Sequence, residues 1–548
     1  MSTAVAALAL ALPMMLVPVA ASASPLLLGG TTKVILMDSG GANLSALVSS
    51  VGGGVLANLS IIDGVEATVP TVAVGLLDAV PGLTVSQDLP VSVAGASYAA
   101  TTPGRAPAAV FPQVTGATQL EAQGINGAGE TVAVLDTGID NLPDFAGRLI
   151  DGVDLSGEGN PFEDSYGHGT FVAGLIAGNG ASSGGQYVGE APGADLVSVK
   201  VAGASGQTDM ATVILGVAWV IAHQAVDHIG VLNMSLGFQP VTSTVLNPLD
   251  RAVEAAWNDG VAVVVSAGNA GPFNGTILSP GDDPLVITAG ALDDNGTATS
   301  TDDSVPAFSS VGPTSPDGWF KPDLVASGRS VVSLRDPGST IDQDNPSARI
   351  GTANFVGSGT SFSAAITSGA AALVLEADGA AVAGDPNAVK ARLLGGATPG
   401  PVGNPFVDGH GSLNAYWAAM ATNVTLNQSA PLLPTLPGLT VSLPGTWAAS
   451  SWNPSSWTGS AWNGSAWNGS AWNGSAWNGS AWNGSAWNGS AWNGSAWNGS
   501  AWNGSAWNGS AWNGSAWNGS AWNGSAWNGS AWNGSAWNGS AWNGSAWN

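Results

Sequence analysis

TVAVLDTG, residues 131–138, is a continuous run of apolar and β-branched residues that ends in an aspartate, a threonine and a glycine. Such a run is typical of a strand that is buried on both faces. Four further runs of this kind follow at 196–201, 231–237, 261–269 and 285–291, with amphipathic stretches at 169–178, 210–226 and 246–260. This alternation predicts an α/β domain over residues 112–425, with a parallel sheet and helices on both faces.

Three polar residues stand where ligands bind on such a sheet, at strand ends and helix starts. Asp136 closes the first strand. His168 lies between two glycines in DSYGHGTFVAGLIAG, and Ser361 precedes an apolar helix in SGTSFSA. Taken singly, Asp136 could bind loop amides, and His168 and Ser361 could cap helices. Their joint occurrence in one α/β pattern argues against three independent accidents.

With these motifs, the chain resembles the subtilisin-type serine peptidases over about residues 115–420. Further segments match in the family's order, namely NMSLG, VVVSAGNAG, FSSVGP and KPDLVASG. The chain order Asp, His, Ser is also that of subtilisins. The resemblance implies that Ser361 attacks the scissile carbonyl, that His168 transfers the proton, and that Asp136 holds the imidazole.

The resemblance also implies a binding cleft around these three residues. Asn269, which alone would be an ordinary turn residue, matches the asparagine that stabilises the oxyanion of the tetrahedral intermediate. Substrate is expected to bind as an added strand. The residues assigned to substrate binding are Ser235, Leu236, Gly237 and Gly268, and residues 201–206 are expected to supply the opposite strand.

No cofactor is required for this chemistry, and calcium is expected at most as a stabilising ion. Asp144 in LPDF matches a calcium-ligand position of the family, but the loop at 177–189 is unlike the family's partner loop. We therefore expect Asp144 to be a surface carboxylate without function. His223, His228 and His410 are interpreted as structural, because their spacing to carboxylates indicates no zinc site.

Two segments precede the peptidase-like region. Residues 1–23 are apolar and end in Ala-Ser-Ala, which predicts a signal peptide that lacks the usual positive start, with an uncleaved membrane anchor as the alternative. Residues 31–90 predict strand, helix, two strands, helix and strand, a small α+β domain of the ferredoxin-like type. By resemblance this domain is an inhibitory propeptide. Residues 91–111 predict an exposed linker that contains the processing bond.

The C-terminal part is a repeat. After a linker at 426–446, a tryptophan falls every fifth residue from Trp447 to Trp547, and the unit becomes SAWNG. Period five matches neither a strand nor a helix, and the uncharged, Gly- and Ser-rich composition predicts a low-complexity tail without a packed core. Three interpretations stay open: binding to a cell-surface polymer or to copies of itself, a solenoid of stacked units, and a passive spacer.

The charge balance excludes nucleic acid as a partner. The chain has 11 Lys and Arg against 37 Asp and Glu, a net charge of −26, whereas phosphate binding needs clustered cations. It has no cysteine and therefore no disulfide or thiolate metal site. The sequence thus predicts a secreted or cell-surface-associated serine endopeptidase that acts on proteins and processes itself. The alternative is a non-catalytic adhesive protein that retains a peptidase-like fold.

Overall fold

The computed structural model describes residues 30–38, 40–93, 96–98 and 109–421, together with short strands between 465 and 546. The predicted signal peptide (1–23) and the linker at 426–446 lie outside the described residues. The N-terminal domain consists of β1 (Thr31–Asp38), α1 (Leu44–Ser50), β2 (Gly54–Leu59), β3 (Gly64–Pro70), α2 (Val74–Asp78) and β4 (Leu83–Gln87).

These six elements follow in the predicted order and form an antiparallel sheet with strand order β2-β3-β1-β4. Side chains alternate between the two faces of a strand, and β1 shows the consequence. Val34 and Leu36 belong to the domain's own core, whereas Ile35 and Met37 belong to the large core of the rest of the chain. The N-terminal domain therefore buries one face of its sheet against the peptidase-like region.

The strands of that region and the segment leading into it are β5 (Pro90–Val93), β6 (Thr131–Asp136), β7 (Leu149–Asp154), β8 (Asp195–Lys200), β9 (Gln207–Asp209), β10 (Ile229–Met234), β11 (Leu236–Gly237), β12 (Ala262–Ser266), β13 (Ile287–Leu292), β14 (Leu324–Ser327), β15 (Val331–Leu334), β16 (Arg349–Ile350) and β17 (Asn354–Gly357). The helices are α3 (Phe111–Val114), α4 (Ala117–Glu121), α5 (His168–Ala177), α6 (Met210–His223), α7 (Pro248–Asn258), α8 (Thr340–Asp344), α9 (Thr360–Asp378), α10 (Pro386–Gly396) and α11 (Ala415–Met420).

The predicted parallel sheet is confirmed. Seven strands pair in the order β14-β13-β12-β10-β6-β8-β7, and every pair is parallel. Each predicted strand run contributes one strand to it. The sequence did not predict β7, whose residues LIDGVD mix charges with apolar side chains, or β14 as a strand. The carboxyl ends of the parallel strands meet at one edge, where the polar residues collect.

The helix α9 lies at the centre of this region. It packs against β10, β12, β13 and α5, and its residues are buried from Thr360 to Leu375. Among the described residues it is the helix long and apolar enough to cross a membrane, and most of it is buried inside the protein, as in the core helix of a globular domain.

The prediction of an exposed linker is wrong where the structure describes it. The strand β5 lies between β9 and β11 and pairs with both in antiparallel fashion. Val91 is fully buried, and Val93 is 6% exposed. The strand itself has the sequence PVSV, and the Ala-, Gly- and Pro-rich composition that indicated a linker begins only after it, at Ala94.

The described strands of the tail are β18 (Ser465–Ala466), β19 (Ser475–Ala476), β20 (Ala481–Trp482), β21 (Ser485–Asn488), β22 (Ala491–Trp492), β23 (Ser495–Asn498), β24 (Ala501–Trp502), β25 (Ser505–Asn508), β26 (Ala511–Trp512), β27 (Ser515–Asn518), β28 (Ser525–Asn528), β29 (Ser535–Asn538) and β30 (Ser545–Ala546). They form two parallel sheets of nine and four strands, in which neighbouring strands are ten residues apart in the chain. This is the stacked arrangement of a solenoid with two repeat units per turn.

Candidate active site

Asp136 and His168 meet at the carboxyl edge of the parallel sheet. Asp136 is the last residue of β6, and His168 is the first residue of α5. The Nδ1 atom of His168 lies 2.8 Å from Oδ1 of Asp136, and both side chains are buried. Because the carboxylate engages Nδ1, it favours the tautomer that leaves Nε2 as a proton acceptor. This Nε2 atom has no hydrogen-bond partner among the described residues.

A second buried carboxylate, Asp164, fixes both of these residues. Its side chain accepts hydrogen bonds from the Thr137 hydroxyl (2.7 Å) and from the backbone N–H groups of Gly167 (2.7 Å) and Thr170 (2.8 Å). The Thr137 hydroxyl in turn accepts from the N–H of Gly169 at 3.0 Å. Burial raises the pKa of Asp164, against the effect of these donors, and Asp136 raises it further.

Sequence reasoning missed the role of Asp164 and Thr137. Thr137 follows Asp136 directly, while Gly167 and Gly169 flank His168. The Asp164–Thr137 pair therefore ties together the backbone on either side of the two predicted catalytic residues. The signal was present in the motif, because an aspartate four residues before the histidine precedes the helix start, where carboxylates bind free N–H groups.

Ser361 lies in the first turn of α9 and is not a helix cap. The helix begins at Thr360 after Gly359, and no side chain caps it. The carbonyl of Ser361 accepts a hydrogen bond from the hydroxyl of Ser235 at 3.0 Å. The neighbouring Phe362 ring lies 5.9 Å from the His168 ring, so the starts of α5 and α9 lie side by side. The structure thus brings the predicted base and nucleophile into one small region.

Asn269 follows β12 and contacts the start of α9. Its Oδ1 atom accepts from the backbone N–H of Thr360 (2.9 Å) and from the Thr360 hydroxyl (3.1 Å). That hydroxyl accepts from the N–H of Gly268 at 3.0 Å. Because the carbonyl side of the amide is held in this way, the Nδ2 donors face the other side, next to Gly359. A Cβ atom at Gly359 would lie 3.4 Å from Nδ2.

The chain's own strand β5 occupies the place expected for a substrate. Val93 pairs with Leu236, and Ser92 pairs with Gly237. On the opposite side β5 pairs with β9, and the N–H of Val93 donates to the carbonyl of Gly206 at 3.1 Å. The sequence predicted residues 201–206 as this opposite strand, which is wrong by a few residues. The strand that pairs with β5 is β9, and Gly206 at the end of the predicted segment accepts the hydrogen bond from Val93.

Beyond the start of α9 the same segment pairs again. The N–H of Ser97 donates to the carbonyl of Ser358, and the N–H of Ser358 donates to the carbonyl of Ser97, both at 2.8 Å. Ala96 lies against Gly359, so that a Cβ atom there would approach the Ala96 side chain to 3.2 Å. The chain therefore runs past the helix start that carries Ser361, with backbone pairing on both sides of it.

The comparisons with known proteins agree with this geometry. A family model described as the subtilase family matches residues 127–429, more than half of the chain. The chain belongs to the subtilase family.

Two curated subtilases illustrate the similarity. Serine protease AprX of Bacillus subtilis (strain 168) is 44% identical over 298 residues, which cover 54% of this chain and 66% of AprX. Subtilisin NAT of Bacillus subtilis subsp. natto is 33% identical over 307 residues, 55% of this chain and 69% of that protein. The chain therefore spans about two thirds of the length of these relatives.

A solved structure shows the same fold. The crystal structure of fervidolysin from Fervidobacterium pennivorans, described as a keratinolytic enzyme related to subtilisin, matches with a TM-score of 0.59. The match covers 73% of this chain and 62% of fervidolysin at 22% sequence identity. It supports the subtilisin-like fold of this subtilase.

The expectation that Asp144 is a surface carboxylate is wrong. In this subtilase Asp144 is buried, and its Oδ2 atom accepts from the backbone N–H of Ser182 at 3.1 Å and from the Ser182 hydroxyl. The carboxylate thus holds the loop at 177–189, which lies close because that loop folds back after α5. No local pattern indicates this contact, since the two residues are distant in the chain.

The described residues contain one group of three carboxylates close enough to share a cation, formed by Glu66, Asp88 and Asp209. It lies between the N-terminal domain and the start of α6, far along the chain from Asp144. The ammonium of Lys33 already lies among these carboxylates, 3.0 Å from Glu66, 3.7 Å from Asp88 and 3.1 Å from Asp209. Its positive charge takes the place that a metal ion would have.

Proposed function

We propose that this subtilase is a secreted serine endopeptidase that hydrolyses peptide bonds through an acyl-enzyme formed on Ser361. The observation that carries the proposal is the juxtaposition of the buried Asp136–His168 pair, the start of α9 and a strand of the chain in substrate position. Secretion rests on the signal-like pattern of residues 1–23. Its substrates are proteins and peptides.

In the first step the hydroxyl of Ser361 attacks the scissile carbonyl while Nε2 of His168 takes its proton. The imidazolium that forms is stabilised by Asp136 at 2.8 Å from Nδ1. His168 then gives the proton to the leaving amine, and water hydrolyses the acyl-enzyme by the same steps in reverse order. Asp164 touches none of the reacting atoms and acts as a positioning residue.

The oxyanion is stabilised by two donors. Asn269 supplies Nδ2, whose orientation follows from the hydrogen bonds that Thr360 makes to Oδ1. The backbone N–H of Ser361 supplies the second donor, because the N-terminus of a helix, where Ser361 lies, favours negative charge. Both donors stabilise the transition state more than the bound substrate, since the negative charge develops only there.

The N-terminal domain inhibits the enzyme until the chain cuts itself. Substrates of this class bind by strand addition, and the pairing of β5 with β9 and β11 has that form. Because backbone pairing is found at Val93 on one side and at Ser97 on the other, the processed bond lies between these two residues. The released fragment then carries the N-terminal domain and β5.

The test is fluorophosphonate labelling of the purified protein, with intact mass measured before and after incubation. The parent should be labelled once and should lose a fragment that ends between residues 93 and 97. Ser361→Ala should remain unlabelled and unprocessed, with kcat lowered by about 10⁶ in trans, the loss known for this nucleophile in a subtilisin.

A matched control is Ser363→Ala, two residues further along α9. The Ser363 hydroxyl donates to the carbonyl of Ala326 at 2.9 Å, away from the cleft. This variant should be labelled and processed like the parent. A folded parent, shown by a cooperative melt, that neither labels nor processes would instead indicate a non-catalytic surface protein with a peptidase-like fold.

A further inference from the structure

Two glycines of the cleft face the same leucine. Gly237 ends β11, the strand that pairs with β5, and Gly268 directly precedes Asn269, the proposed oxyanion donor. A Cβ atom added at Gly237 would lie 3.1 Å from Cβ and 3.5 Å from Cδ1 of Leu278. A Cβ atom added at Gly268 would lie 2.6 Å from Cγ and 3.0 Å from Cδ1 of the same leucine. The Leu278 side chain therefore fills the space between the two glycines.

The backbone holds Leu278 in this place. Its N–H donates to the carbonyl of Ala267, just after β12, at 3.0 Å. The next residue, Ser279, exchanges two hydrogen bonds with Phe238, just after β11, at 3.0 and 3.1 Å. Ile277 on the other side is fully buried, whereas Leu278 is partly exposed. Leu278 thus joins the ends of two strands of the cleft, and its side chain lies within reach of a bound substrate.

The residue before the cleaved bond places its side chain in this part of the cleft. Its carbonyl oxygen lies at Asn269 when the oxyanion forms, and its backbone continues the strand that pairs with β11. The side chain starts at the Cα atom next to that carbonyl carbon, so it projects toward the gap between Gly237 and Gly268. Glycines at such positions let a ligand approach the backbone closely. Here Leu278 takes up the space that a large side chain would need.

The chain's own segment in the cleft has only small residues at the proposed processing bond. That bond lies between Val93 and Ser97, and the residues between them are Ala94, Gly95 and Ala96. Whichever of these bonds is cut, the residue before it has no side chain larger than that of valine. The sequence of this segment is independent of the position of Leu278, and it indicates the same restriction.

We infer that Leu278 restricts this subtilase to peptide bonds that follow residues with small side chains, such as alanine and valine. The inference rests on the proposed function and names the class of substrate for the same site. A phenylalanine side chain before the bond would overlap with Leu278 unless the leucine moved, and such overpacking is unfavourable. Pockets of this kind discriminate between similar apolar side chains by about 10- to 200-fold.

The test compares short chromogenic peptides that are identical except for alanine, leucine or phenylalanine before the cleaved bond, with the processed enzyme counted by fluorophosphonate labelling. The parent should have a kcat/KM at least about tenfold higher for the alanine peptide than for the phenylalanine peptide. Leu278→Gly, or Leu278→Ala where the glycine variant does not fold, should raise kcat/KM for the phenylalanine peptide by about tenfold or more. Ile277→Val is the matched control, because that side chain is fully buried, and it should keep the parent's ratio.

Self-processing gives a second measurement. The mass of the released fragment identifies the residue before the cut, and the substitution among Ala94→Phe, Gly95→Phe and Ala96→Phe that falls there should slow processing by about tenfold or more. Adding Leu278→Gly should restore the rate.

A parent that is labelled but cleaves the phenylalanine peptide as fast as the alanine peptide overturns this inference and leaves the proposed function intact. A ratio that Leu278→Gly and Leu278→Ala leave unchanged also overturns it. A folded parent that is neither labelled nor active overturns the proposed function, and this inference with it.

Discussion

A group of charged residues is fully buried in the peptidase domain, whereas a comparable group at the edge of the N-terminal domain is partly exposed. Inside the peptidase domain, Lys321, Lys390 and Asp323 are all completely or almost completely buried and paired with one another. At the edge of the N-terminal domain, Lys33 is half exposed where it meets Glu66, Asp88 and Asp209. Buried pairs are costly to break, whereas exposed pairs contribute little. The contrast fits the proposed processing, in which the N-terminal domain dissociates and the peptidase domain remains folded.

The buried group is tied to the backbone as well. The ammonium of Lys390 donates to the carbonyls of Pro284 (3.0 Å), Leu285 (3.1 Å) and Val286 (2.9 Å) and lies 3.2 Å from Asp323. Burial lowers the pKa of Lys390 to about 7, and Asp323 opposes this shift. The acceptors around the ammonium favour its charged form. The two lysines hold the pKa of Asp323 below its ordinary value, against its burial.

The largest expected effect on folding comes from Lys390→Met. The substitution leaves the buried carboxylate of Asp323 with only one of its two lysine partners. We therefore expect a loss of about 3–5 kcal/mol in the free energy of unfolding. Denaturant titration of the chain carrying Ser361→Ala measures it. Lys33→Met, the matched exposed lysine, should lose far less in the same titration. Equal losses would show that the contrast between the domains is wrong.

A substitution in the cleft should lower kcat. Asn269→Ala removes one oxyanion donor, and we expect kcat to fall by about 10²–10³, the size of effect known for such a donor in a subtilisin. Peptide hydrolysis by the processed enzyme measures kcat. The KM should change little, because the donor acts on charge that develops in the transition state. If the substitution raised KM and left kcat unchanged, the assignment of Asn269 as an oxyanion donor would be contradicted.

The contact between the domains should depend on pH. Burial raises the pKa of Asp88 to about 6, and Asp209 and Glu66 contribute to this rise while Lys33 and the N–H of Ala211 oppose it. A carboxyl with a raised pKa favours the assembled form at low pH. The contact should therefore weaken as pH rises from about 4 to about 6 and change little above that.

Gel filtration of the processed complex, with Ser361 blocked by a sulfonyl fluoride, measures how much N-terminal fragment remains bound. We expect up to about tenfold tighter retention at pH 4.5 than at pH 7. Asp88→Asn should remove most of this dependence. Retention that rises with pH would exclude Asp88 as the controlling group.

The smallest effect should come from Lys33→Met, on the rate at which the N-terminal fragment dissociates. The hydrogen bond to Glu66 raises the pKa of Lys33, yet half of its side chain is exposed, so solvent screens the attraction. We expect the fragment to dissociate only a few times faster, with kcat of the free enzyme unchanged. The dissociation rate should also depend less on salt concentration in this variant, because ions screen the attraction between Lys33 and the carboxylates around it. A change in kcat would show that Lys33 influences the catalytic residues as well as the contact between the domains.

The sequence predicted the parts of the fold that depend on local patterns. Runs of β-branched residues located β6, β8, β10, β12 and β13, because a strand buried on both faces must be apolar throughout. It did not predict that β5 lies in the cleft, since that pairing joins residues more than a hundred positions apart through the backbone alone. The burial of Asp144 has the same explanation, because Ser182 is distant in sequence.

For the candidate site, the motifs identified the side chains but not the groups that hold them. Asp136 and His168 are brought together by the sheet edge, and the roles of Thr137 and Asp164 appear only when the hydrogen bonds are traced. In the tail, period five matched no element because pairing occurs between units ten residues apart, which the pattern within one unit does not reveal.

The ten-residue turn of the tail has a consequence for how its gene can change. Neighbouring units have the same sequence but lie in different sheets, as Ala481–Trp482 and Ser485–Asn488 do. If replication slippage adds or removes one unit, each unit after that point moves to the other side of the stack and meets an environment built from identical units. The tail can therefore lengthen or shorten by one repeat unit at a time without any new sequence. Natural variants should differ in repeat number more than in repeat composition.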